Sequence, residues 1–193
     1  MNFAIEFIKA DAITSDQQAS LDALNIECFG DVPTKEITEN FIAEPFGYLF
    51  AMVGKEMISR VSLFKREVVF DGQKILTGGM GGVCVTTDHR HHGVASSMVK
   101  RAILILTQEH CDVACLNVDL DKNIYHLYEK LGFTLMPRNI SFENIRGEII
   151  HEPGNMFVAL NSPEKYQLIM NSPATFHYGR GYWWVSHTRY VIR

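Results

Sequence analysis

The sequence predicts an α/β fold with a mixed sheet, antiparallel where short turns join its strands and parallel where a helix makes the crossover. Three observations carry this. Apolar runs from Tyr48 to Val53, Met57 to Phe70 and Lys74 to Val85 are joined by Gly54-Lys55 and Asp71-Gly72 turns, which set neighbours antiparallel. Ala95, Met98, Val99, Ala102 and Leu106 then recur on one face of a helix running from Val94 to about Glu109. A short apolar strand from Val113 to Val118 follows, parallel to the strand before the helix.

The remaining elements follow in order. Phe3, Ile5 and Phe7 alternate with Ala4 and Glu6 in a first strand ending at Lys9. Ser15-Asp16-Gln17-Gln18 is a capping-box pattern opening a helix through Leu21, Leu24 and Cys28, with Gly30 at its end. Thr34 caps a second short helix through Ile37 and Phe41. Gly78, Gly79, Gly81 and Gly82 offer a strand no packing and cost backbone entropy, so a bulge or a closely approaching ligand chain explains them better than a plain strand. From Asp121, the residues Ile124, Leu127, Tyr128 and Leu131 keep helical spacing up to Gly132, and Phe133 opens the next strand. Met156 to Leu160 reads as a strand, and Ser162-Pro163 opens a helix through Tyr166, Leu168 and Ile169. The chain ends in an aromatic-rich stretch with Phe176, His177, Tyr178, Tyr182, Trp183, Trp184 and His187.

The turn between the Val83-Cys84-Val85 strand end and the helix carries the chemistry. The first amides of a helix lack intrahelical acceptors and sit at the positive end of its dipole, so the amides from His92 to Ser96 form an anion site. Gly93 and Ala95 leave room for a diphosphate, and Arg90 adds a permanent charge. No Gly-Lys-Ser/Thr closes the loop, which excludes a P-loop, and the glycines before Val83 lie too early for a dinucleotide fingerprint.

Two matches support a family resemblance. Arg90, Gly93 and Ala95 after an apolar strand ending resemble the acetyl-CoA loop of the GCN5-related N-acetyltransferases (GNAT), and Tyr128-Glu129-Lys130-Leu131-Gly132-Phe133 resembles that family's second signature. The resemblance implies the acyl-CoA N-acyltransferase fold, a mixed and mostly antiparallel sheet with helices on both faces, splayed where the cosubstrate enters. It implies acetyl-CoA held by Val83, Cys84, Val85, Arg90, His91, His92, Gly93, Val94, Ala95 and Ser96, its pantetheine arm pairing with backbone near Val83 and Val85. Tyr128 is the implied proton donor to the departing thiolate, with backbone amides near Val85 stabilising the oxyanion. Many relatives carry a glutamate where this chain has Met80-Gly81-Gly82, so the base is open among Glu67, Asp119 and His177. Asp121 stands where many relatives have asparagine, with Asn123 two positions late. The run from Val61 to Val85 and the segments Met156-Phe157-Val158 and Tyr182-Trp183 are similar to aminoglycoside 2′-N-acetyltransferases, although Gly181 stands where those carry an acid.

Composition narrows the setting. A chain of 193 residues, 47% hydrophobic, suits one domain over 1–193, with 141–193 as an extension bordering the acceptor site. Eighteen basic against twenty-two acidic residues give −4 with no basic run, which argues against nucleic acid and anionic membrane surfaces as partners. Cys28, Cys84, Cys111 and Cys115 form no Cys-x-x-Cys pair and read as reduced core thiols in the cytoplasm. His89, His91 and His92 around one tight turn cannot all face a single ion, so no metal is expected. The expected activity is transfer of acetyl from acetyl-CoA to a primary amine, on a small molecule or a peptide, by direct attack in a ternary complex. Trp183 or Trp184 is expected to border the acceptor, since aromatic faces favour a cationic amine. A homodimer is left open, as are two alternatives, an aminoglycoside-modifying enzyme and a non-catalytic CoA-binding sensor.

Overall fold

Connection lengths set the order of the strands. The computed structural model describes residues 1–30, 39–40, 43–122 and 124–182. Strands β1 (Ala4–Lys9), β2 (Gly47–Val53), β3 (Glu56–Phe70) and β4 (Gln73–Val85) lie side by side, each antiparallel to the next. At the β3–β4 turn Asp71 and Gly72 have φ of 45° and 75°, the left-handed pair whose twist matches a tight hairpin. The sheet continues through β5 (Val113–Asn117), β9 (Asn155–Ala159) and β6 (Thr134–Leu135), in the order β1-β2-β3-β4-β5-β9-β6. A smaller sheet is built from β7 (Ile140–Glu143), β8 (Ile149–Glu152) and β10 (His177–Arg180), with β7 central.

Side-chain alternation sends each strand's residues to opposite faces, and a helix covers each face. On β2, Leu49 and Ala51 pack with Met98, Val99, Ala102 and Leu106 of α2 (Val94–Gln108). Tyr48, Phe50 and Met52 pack with Leu21 and Leu24 of α1 (Ser15–Phe29). Gly78 lets α2 seat closely, since a Cβ there would fall 2.9 Å from a Leu106 methyl. Two short helices follow α2: α3 (Tyr125–Glu129) near β6 and α4 (Pro163–Asn171) against β9 and β5.

Two irregularities in β4 position the site. Its parallel pairing with β5 is confined to Thr77, Gly78 and Gly79 opposite Val113, Ala114 and Cys115, after which β4 runs on to Val85 while β5 stays with β9. A slot opens there between parallel strands. Beside it the β3–β4 register shifts between Arg60 and Ser62, and Gly82 has φ 58°, so Gly82 and Val83 together face Val61. The glycine run thus contains a bulge.

Several local expectations are corrected. The capping box forms one residue earlier than Ser15: Gln17 N donates to Thr14 Oγ1 at 3.3 Å and Thr14 N to Gln17 Oε1 at 2.9 Å. Both Thr14 and Ser15 have a glutamine three residues on, and the backbone geometry chooses Thr14. The helix expected from Asp121 is a 3-10 turn at Leu120–Lys122 followed by α3 alone, because backbone bonds from Gly132 to Glu129 O and from Phe133 to Tyr128 O close the segment. The helix expected through Thr34, Ile37 and Phe41 lies outside the described residues. The late aromatics Phe176, Tyr178 and Tyr182 are fully buried with Phe157, Phe142 and Ile169, sealing the core between the smaller sheet and α4.

Candidate active site

The site begins where β4 ends. After a 3-10 turn at Thr87–His89 the chain reverses through His91, φ 64°, and Gly93, φ 78°, and enters α2. A left-handed histidine costs about 1–2 kcal/mol, so its neighbours must hold the loop. They do: Thr87 N donates to Glu27 Oε1 of α1 at 2.8 Å, Thr86 Oγ1 pairs with His89 Nδ1 at 2.8 Å, and Arg90 Nε donates to Val85 O at 3.1 Å. No side chain caps α2, and a Cβ placed on Gly93 would meet nothing within 4 Å. The opening amides of α2 therefore face open space with their dipole unopposed, an arrangement that suits a phosphate.

That space belongs to a cleft of about 450 Å³. Val83, Cys84 and Val85 form one wall, and His89, Arg90, His91, Gly93, Val94, Ala95 and Ser96 form the loop and helix end. Opposite them stand Ile124, Leu127 and Tyr128, and the end of α1 closes it with Cys28 and Phe29. The structure thus brings together the sequence-derived positions from both motifs, apart from His92, which is exposed and off the cleft wall. Two details differ from the expectation. The Val85 carbonyl expected to pair with a ligand chain already accepts from Arg90, and the Arg90 side chain spends Nε on it, leaving its terminal nitrogens for an anion.

Tyr128 lies in the last turn of α3 with its ring edge-on to Phe133, centroids 6.1 Å apart. It is buried, yet its hydroxyl has no hydrogen-bond partner among the described residues and is not sealed away, because it opens on the cleft. Burial pushes the phenol well above the ordinary tyrosine range, so it stays protonated and able to donate at neutral pH.

The candidate bases lie elsewhere. Glu67 is exposed and paired with Lys74 at 2.9 Å, His177 Nδ1 bonds Ser141 Oγ at 2.9 Å, and Asp119 Oδ1 accepts from Asp121 N at 3.0 Å. Among the described residues lining the cleft there is no carboxylate. Cys84 is no nucleophile: donation to the Cys28 sulfur and burial both hold its thiol protonated, while the same bond draws Cys28 below its ordinary value. Among the described residues no group of three His, Cys, Asp or Glu is placed to hold a metal, and no helix is long and apolar enough to cross a membrane.

Trp183 and Trp184 lie outside the described residues. Tyr182, which carried part of the aminoglycoside resemblance, stacks on Phe142 in the core and bonds Asn155. The sequence reading missed Cys28, Phe29, Ile124 and Leu127 as cleft residues. Cys28 and Phe29 carried one faint signal, their position just before the helix-ending Gly30.

The profile of the acetyltransferase (GNAT) domain family matches residues 9–136, from the end of β1 to just beyond β6. The chain belongs to the GNAT acetyltransferases. This GNAT chain is 36% identical over 64 residues to N-alpha-acetyltransferase 30 of Saccharomyces cerevisiae, a match spanning 33% of the chain and 36% of that relative. It also resembles the crystal structure of Escherichia coli ElaA, with a TM-score of 0.61 at 13% identity over 81% of this chain and 99% of that one. The NatC complex bound to Gag peptide and CoA gives a TM-score of 0.54 at 20% identity, over 81% of this chain and 98% of that chain. The two structural likenesses speak for the GNAT fold alone.

Proposed function

We propose that the protein transfers an acetyl group from acetyl-CoA to a primary amine by direct attack in a ternary complex. The observation that carries this reading is a cleft joining a helix N-terminus at Gly93 with no side-chain cap to the phenol of Tyr128, which has no hydrogen-bond partner among the described residues. The residues fit CoA: the space above Gly93 accepts a diphosphate, the amides of Val94, Ala95 and Ser96 and the terminal nitrogens of Arg90 supply donors, and the slot between β4 and β5 suits an extended arm along Val83. Bound there, acetyl-CoA supplies an activated carbonyl and a thiolate leaving group.

The chain's own groups then have defined tasks. Holding donor and amine in one cleft removes most of the entropy cost of their encounter. The amine lone pair forms the carbon–nitrogen bond, the carbon–sulfur bond breaks, and Tyr128 passes its proton to the sulfur. Backbone donors at the end of β4 lower the charge developing on the carbonyl oxygen. With no carboxylate lining the cleft among the described residues, the ammonium proton leaves through water. The same lack lends some support to a CoA-binding sensor, and one experiment separates the two readings. Calorimetry with acetyl-CoA and thiol release across a panel of amines should show binding and amine-dependent turnover. Binding without turnover on any amine makes the protein a sensor, and no binding defeats both readings.

A further inference from the structure

Arg60 is a half-buried cation with no carboxylate paired to it among the described residues. It lies on β3 opposite Cys84, so its side chain emerges on the α1 face of the sheet. Its guanidinium carbon stands 5.2 Å from the centre of the Phe29 ring, and Nη1 donates to Ser62 Oγ at 2.9 Å. Nε is shut off from solvent with no partner among the described residues, while the guanidinium also engages the Cys84 thiol. The nearest titratable neighbours are two thiols and a phenol, those of Cys84, Cys28 and Tyr48, and no carboxylate among the described residues pairs with it. Partial desolvation draws the guanidinium below the ordinary arginine value, and a charge placed so without a carboxylate costs the fold more than it returns.

The fold nevertheless makes room for it. A Cβ on Gly82 would fall 2.0 Å from Arg60 Nη1, so the bulge glycine is the surface on which the guanidinium lies. Phe29 covers the other side, and both Phe29 and Cys84 line the cleft. Arg60 is not itself a wall residue of the cleft: it lies directly behind Phe29 and Cys84 at the α1 end, half-buried, and away from the phosphate-sized opening at Gly93. A guanidinium in a low-dielectric corner attracts an anion far more strongly than one in water, and its planar fork suits a carboxylate.

Building on the acetyl-transfer reading, we infer that Arg60 binds a carboxylate of the acceptor, so that the substrate is an amine carrying an acid group, either an amino acid or the N-terminus of an acidic peptide. Polycationic amines such as aminoglycosides would bring positive charge towards Arg60, which disfavours them at this site. The inference also accounts for the bulge, the left-handed Gly82 and the ring of Phe29 gathered around one side chain.

The test compares acceptors that differ only in charge. Thiol release is measured for leucine against leucinamide, and for C-terminally amidated Ala-Asp against Ala-Asn, with wild type, Arg60→Met and Arg60→Lys. The wild type should favour the charged member of at least one pair by about 10- to 100-fold in kcat/KM, the range of one charge-assisted hydrogen bond. The pair that responds identifies the free amino acid or the peptide. Arg60→Met should level the two members while acetyl-CoA affinity by calorimetry stays at the wild-type value, and Arg60→Lys should keep part of the preference. If Arg60→Met does not fold, the wild-type and Arg60→Lys rankings decide. Equal use of both members by the wild type overturns the inference, as does a preference that survives Arg60→Met. Should Arg60→Met instead slow alkylation of Cys28 by iodoacetamide and leave the ranking intact, Arg60 serves the thiol and the inference falls. Failure of acetyl transfer itself is read separately. If the wild type releases no thiol with any amine, calorimetry with N-acetyl-leucine and N-acetyl-aspartate still decides, and absence of Arg60-dependent binding overturns the carboxylate site.

Discussion

Replacing Tyr128 with phenylalanine should move rate and stability in different ways. The hydroxyl is buried against Phe133, opens on the cleft and has no hydrogen-bond partner among the described residues. Deleting a hydroxyl without a partner breaks no bond and removes a polar group that pays desolvation, so unfolding free energy should stay unchanged or rise by up to about 1 kcal/mol. The ring and its edge-on contact are retained. If the phenol protonates the departing thiolate, however, turnover should fall by roughly 10²–10⁴-fold, about 3–5 kcal/mol in the barrier. The assay pairs steady-state thiol release with urea unfolding and acetyl-CoA calorimetry on the same preparations. Because burial raises the phenol above its ordinary value of 10.0, the wild-type rate should show no tyrosine limb below that pH. Wild-type turnover in Tyr128→Phe, or a loss of stability beyond about 1 kcal/mol, would refute the reasoning and return Tyr128 to the core.

Two further expectations follow from the structure. Gly93→Val should abolish acetyl-CoA binding by calorimetry: no protein atom lies within 4 Å of the new Cβ, so the loss reports the blocked cleft and the strained φ of 78°. Intact affinity in that variant would remove Gly93 from the phosphate site. Asp112 is buried, which pushes its carboxyl up, but hydrogen bonds from Lys165, Ser162 and the Leu76 amide outweigh burial and hold it below its ordinary 3.8. Its contribution is present above that value and is lost as pH falls through the lower folded value, so Asp112→Asn should flatten the acid limb of stability in urea unfolding.

What the sequence determined by itself was local. Gly54-Lys55 and Asp71-Gly72 set the hairpins because turn chemistry depends on adjacent residues. The path from Val85 through Arg90 and Gly93 into α2, and the placement of Tyr128 just before Gly132, were legible because a helix end is written in a few consecutive positions. Even there, sequence could not choose between two competent caps, Thr14 and Ser15, since backbone geometry alone separates them. Tertiary structure decided whatever depends on pairing across the chain. Arg60 reads in sequence as one of several polar residues in its strand, and becomes a half-buried charge only because β3 pairs it with Cys84 while α1 lays Phe29 over it. Gly82 became a bulge because the β3–β4 register slips beside Val61, and β4 parts from β5 at Gly79 because β5 keeps its partner β9. The late aromatics could have lined a pocket or sealed a core. Packing against Phe157 and Ile169 sent Phe176, Tyr178 and Tyr182 inside, because burying large rings between the smaller sheet and α4 removes more apolar surface from water than an open wall would.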